Sequence, residues 1–205
     1  MKDDMQPNKD HIEEFSSEAS LKLITQMINK ARSDYFETGV SALMWGAIIT
    51  FCSLMTFANY WWQFSWMGWV WLLTIVAVVP QIIIAIQESK ARKRKMHDED
   101  MMGGIWISFG IAMFLLSYLQ GKYKIPHQIE LSLILYGIPT FTSGYARRFK
   151  PMIIGGIACW VFVVMTGFTP WPYSILYLAA GAQLAWFIPG IILRKCYLKA
   201  KRNNV

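Results

Sequence analysis

The chain has 205 residues, with 20 Lys and Arg against 13 Asp and Glu for a formal charge of +7, and 55% of it is hydrophobic and 15% aromatic. A length of this order fits one domain, and the apolar excess points to a bundle interior plus a lipid-facing surface rather than a single soluble core. The positive excess does not point to nucleic acid, because it sits in short stretches directly beside apolar runs, where charge sets membrane topology.

Residues 1–16 hold Asp3, Asp4, Asp10, Glu13 and Glu14 with few large apolar groups, so a mobile polar tail is expected there. The start has no short basic region followed by an apolar core, so a cleavable signal peptide is not expected. Over 17–37 the spacing predicts an amphipathic cytoplasmic helix, with Ser16 or Ser17 as its cap. Leu21, Ile24, Met27, Ile28, Ala31 and Tyr35 fall on one face and Lys22, Gln26, Asn29 and Ser33 on the other. Such a helix lies in the membrane interface or against the bundle, or docks a partner.

Residues 38–205 read as a six-helix transmembrane domain with a cytoplasmic C-terminal tail. The apolar runs are Gly39–Asn59, Trp66–Ile86, Gly103–Gln120, Ile129–Gly144, Met152–Phe168 and Ser174–Leu193. Most approach the roughly 20 residues a helix needs to cross about 30 Å of hydrocarbon, and the fourth and fifth fall somewhat short. Lys90 and Arg92 to Lys95 follow the second run, Arg147, Arg148 and Lys150 the fourth, and Arg194, Lys195, Lys199, Lys201 and Arg202 the sixth. Lys2, Lys9, Lys22, Lys30 and Arg32 precede the first, and only Lys122 and Lys124 fall on the other side. Basic residues stay inside, so both termini are expected in the cytoplasm.

Tyr60, Trp61, Trp62, Trp66, Trp171 and Tyr173 cluster at the outer connections, where rings with a polar tip fix helix depth. Lys90–Asp100 reads as a solvated loop. Its His97-Asp98-Glu99-Asp100 run is no metal site, since consecutive residues do not converge as ligands must. Cys52 and Cys159 lie within runs and Cys196 on the cytoplasmic side, so they read as reduced packing residues. Gly46, Gly104 and Gly155 precede Pro80, Pro139 and Pro189 by 34, 35 and 34 positions. That spacing fits either three parallel hairpin repeats or coincidence.

Ionisable residues inside a membrane mark relays and catalytic centres, and here the central parts of the runs hold none. There is no HExxH helix, no Walker loop and no clustered histidines, so no catalytic residue, metal or cofactor is expected. The polar exception is the fourth run, with Pro139, Thr140, Thr142 and Ser143. Pro139 cannot donate to the carbonyl of Leu135, leaving an acceptor to be satisfied by other means. Together with Gln81 and Gln183 these residues form a candidate polar cavity; the alternative is a kink closed by interhelical hydrogen bonds.

Three stretches carry a resemblance: GIWISFGIAMF between Gly103 and Leu115, ILYGIPTFTSGYARRFKPMIIGGIACW between Leu133 and Val161, and WFIPGIIL between Ala185 and Arg194. They resemble a group of uncharacterised six-span bacterial inner-membrane proteins. The resemblance implies residence in a bacterial inner membrane and brings no site residues. The expected function is association, with the bilayer, a cytoplasmic protein or a second copy as partner and no nucleic acid. The other reading is a carrier or channel for a small neutral or amphipathic compound.

Overall fold

The computed structural model describes residues 38–91 and 97–203, so the expected tail and amphipathic helix (1–37) lie outside the described residues. Every regular element among them is helical. In chain order these are α1 (Val40–Trp62), a 3₁₀ helix (Ser65–Trp71), α2 (Leu72–Ala91), α3 (His97–Tyr123), α4 (Gln128–Ala146) and α5 (Lys150–Thr166). Last come α6 (Ile175–Ala182), a π turn (Gln183–Phe187) and α7 (Ile188–Asn203), which run on without a break as one rod.

The helix ends follow from local chemistry. Gly39 precedes α1 at φ 72°, where a side chain would be strained, and its Cα faces the Gly190 carbonyl too closely for any Cβ. Glu130 sits in the first turn of α4, where a carboxylate meets the positive end of the helix dipole. The α4–α5 turn closes tightly, with the Arg147 N–H donating to Ser143 O at 3.1 Å and the Phe149 N–H to Gly144 O at 2.8 Å. Pro151 then opens α5 at a position whose N–H needs no partner.

Six helical rods therefore stand where six apolar runs were read, with two shifts. The run from Trp66 starts as the 3₁₀ helix, and α2 proper begins at Leu72. The loop reading of Lys90–Asp100 is corrected at both ends, with 92–96 outside the described residues: Lys90 and Ala91 close α2, and His97–Asp100 form the first turn of α3. Acidic residues suit a helix N-terminus, so the helix reaches past the apolar stretch that marked it.

Four of the rods are long and apolar enough to cross a membrane: Val40–Trp62, Trp69–Glu88, Met102–Tyr123 and Ile175–Lys199. Of the six spans expected, six helices stand among the described residues and four of these qualify on length and composition. Helix α5, with 17 residues, reaches about 26 Å at 1.5 Å per residue. Helix α4 carries the hydroxyls, glycines and proline that lower its hydropathy.

The rod is the hub. Half of its apolar window is buried, against none of that of α3. Helix α1 packs along one side of it, while α4 and α5, tightly paired with each other, pack on the other. Helix α2 leans on α1 and α3 on α4, as flanking helices. Both turn large apolar side chains outward, including Ile75, Val76, Val79 and Ile82 on α2 and Ile107, Ile111, Phe114 and Tyr118 on α3. A helix apolar on its outer side is stable only where water is absent.

Candidate functional site

The six residues singled out by sequence fall into separate hydrogen-bonded clusters. On the flank, Gln81 of α2 is half-buried against α1, and its Oε1 accepts from Ser41 Oγ at 2.6 Å and from Trp45 Nε1 at 3.0 Å. About two turns nearer the end of the same helix pair, Glu88 Oε1 accepts from the Thr38 hydroxyl and from the Thr38 N–H at 3.3 Å. This acidic cap meets the start of α1. The two acceptors clamp α2 to α1 along its basic end.

A second cluster lies where α4 meets the rod. Thr140 is fully buried, and its Oγ1 accepts from Trp186 Nε1 at 2.9 Å. Ser143, one turn on and also fully buried, accepts from Trp106 Nε1 of α3 at 3.1 Å. The two indoles lie 6.5 Å apart, and Phe109 and Tyr136 pack around Trp186 with centroids at 6.0 and 4.5 Å. Edge-to-face and tilted rings fill this region while their N–H groups satisfy the hydroxyls. Thr142 turns back on its own helix, donating to Ile138 O at 2.8 Å. Pro139 is fully buried among these groups, and Trp160 Nε1 reaches the neighbouring carbonyl of Ile134 at 3.4 Å.

Gln183, in the π turn, donates from Nε2 to Thr50 Oγ1 of α1 at 2.7 Å, and the Thr50 hydroxyl in turn donates to Gly46 O at 2.7 Å. Thr140 and Ser143 thus share one cluster, whereas Gln81 and Gln183 each engage α1 at a different level. The sequence reading missed the partners. Trp45, Trp106 and Trp186 pack within the bundle and serve as donors, unlike the exposed Trp61 and Trp62 at the end of α1 and Trp66 and Trp69 in the 3₁₀ helix. The available signal was their place: a tryptophan well inside an apolar run must find an acceptor for its N–H.

Glycine contacts complete the geometry. Gly46 faces Phe187 and Gly155 faces the Leu184 carbonyl and the Ala185 Cα, each closer than any Cβ would allow. Gly104, placed with them by spacing, has nothing within 4 Å. The prolines divide likewise, with Pro139 and Pro189 fully buried and Pro80 exposed. Similar spacing therefore leads to different surroundings in the three hairpins. Among the described residues, no group of three or more His, Cys, Asp and Glu side chains could hold a metal ion.

Apolar outer faces, buried hydroxyls and amides bonded between helices and rods of spanning length define a helical bundle of membrane-protein type. No family model matches the chain, and neither a curated protein nor a solved structure is similar to it.

Proposed function

We propose that this is a non-enzymatic inner-membrane protein of the uncharacterised six-span bacterial group, with both termini in the cytoplasm, acting by association with a partner or with lipid. In this reading α4 and α5 also cross the bilayer, which puts the basic turn between them, with Arg147, Arg148 and Lys150, on the same side as the basic ends of α2 and the rod. Lys90, Arg148, Lys150 and Lys195 then form the cytoplasmic rim, which anionic headgroups favour by about 1 kcal/mol per basic residue. The rim and the 17–37 segment are the surfaces offered to a partner.

The observation that carries the reading is the closure around Pro139. Thr140 and Ser143 are fully buried and each receives an indole N–H, so the hydroxyl patch that a solute path would use is spent on the fold. A carrier needs polar groups free to exchange partners with a solute; here such exchange would strand a buried indole donor, at about 1–3 kcal/mol. The test is the reactivity of Thr140→Cys toward a small water-soluble thiol reagent in proteoliposomes, with the native cysteines replaced. Association predicts no modification in the folded protein. Rapid modification from either side would show a water-filled path and favour the carrier reading.

A further inference from the structure

We infer that the π turn Gln183–Phe187 is the joint that couples two otherwise separate halves of the bundle, and that loosening it frees the α1–α2 hairpin to move against α3–α4–α5. Helix α1 packs on α2, the 3₁₀ helix and the rod, while α4 packs on α3, α5 and the rod. Helix packing between the halves therefore runs through the rod. At the π turn both halves grip it with polar bonds: Thr50 of α1 accepts from Gln183, and Thr140 of α4 accepts from Trp186.

The turn's geometry explains how one helix serves both. In an α-helix, residues three apart are separated by about 60° around the axis, at about 100° per residue. In a π turn the step falls to about 80°, so the same two residues stand about 120° apart. Gln183 and Trp186 are three apart. At α pitch both would face much the same neighbour; widened, one reaches α1 and the other reaches α4. Pro189 follows the turn and cannot donate to the Ala185 carbonyl, which removes a bond that would favour α pitch there.

The surrounding glycines fit a joint. Gly46 from one half and Gly155 from the other bring their helices onto the backbone of Leu184–Phe187, with no side chain between. Such contacts hold the turn in place yet give little interlocking along the axis. Helix α1 also packs on α6 and α7, and α4 on α6, so displacement about this level slides those faces along the rod, while the bonds at Gln183 and Trp186 are the ones it must break.

Spin labels test this in the full chain reconstituted in lipid, with Cys52, Cys159 and Cys196 replaced by alanine. One pair, Val79→Cys on α2 with Ile154→Cys on α5, spans the halves. The other, Phe114→Cys on α3 with Ile154→Cys, lies within one half. All three positions are exposed. Gln183→Leu, which keeps volume and loses the bond to Thr50, should widen the distance distribution between the halves at least about twofold and leave the within-half width unchanged. Deletion of Leu184, which returns the turn to α pitch, should act in the same direction and more strongly. If Gln183→Leu leaves both widths as in the parent, or broadens both equally, the inference is wrong, whatever the deletion does.

Discussion

Replacing Gly155 by alanine should destabilise the bundle, whereas the same change at Gly104 should not. A Cβ on Gly155 would stand 2.6 Å from the Ala185 Cα and closer still to the Leu184 carbonyl oxygen. Ordinary contact begins near 3.4 Å, so α5 and the rod must part by about 1 Å, and the obstruction is backbone that no rotamer change removes. Overpacking of this kind costs about 1–3 kcal/mol. Alanine recovers about 0.5–1 kcal/mol of helix propensity, and because the obstruction is backbone the overpacking cost falls toward the upper end of its range, for a net loss at Gly155 of about 2 kcal/mol. At Gly104 the added methyl meets nothing, and the propensity gain stands alone at up to about 1 kcal/mol. Reversible unfolding in mixed micelles, followed by tryptophan fluorescence, measures both. Equal effects at the two positions, or an unchanged Gly155→Ala midpoint, would refute the packing argument.

Thr140→Val removes the acceptor of Trp186 Nε1 and leaves a buried donor unmet, so a loss of about 1–3 kcal/mol is expected in the same assay. Thr142→Val, whose hydroxyl bonds only within its own helix, should cost less, about 0.5 kcal/mol or below. Gln81→Leu withdraws the oxygen shared by Ser41 and Trp45, and a loss of about 1 kcal/mol should appear with faster proteolysis of the α1–α2 hairpin. An unaltered cleavage rate would show that this clamp contributes nothing to holding α2.

Length and apolarity made the rods legible, because a run that must be hydrophobic to its ends marks those ends. The start of α3 was hidden, since His97–Asp100 are polar residues that a helix N-terminus accepts as readily as a loop does. The π turn was hidden for the opposite reason: a rod apolar on nearly every side has no periodicity from which a widened turn could be read. Gln183 and Pro189 marked the place without giving the pitch. In the candidate site, the residue types on α4 were readable and their partners were not. Which tryptophan reaches Thr140 depends on three helices meeting, and nothing in the spacing of Trp106 or Trp186 specifies that meeting. Gly46, Gly104 and Gly155 illustrate the same limit, because contact with a neighbour is a property of the assembled bundle.

Crossing by α4 and α5 is the point on which the six-span reading turns. Lys150→Cys, at the exposed start of α5, can be labelled with a membrane-impermeant maleimide in intact cells, in a background without native cysteines. Lys124→Cys serves as the outward reference. Six spans place position 150 in the cytoplasm, so it should label only after permeabilisation while position 124 labels at once. Labelling of position 150 in intact cells, at a rate equal to that of position 124, would mean that α4 and α5 dip in from the outer side and that the chain crosses only four times.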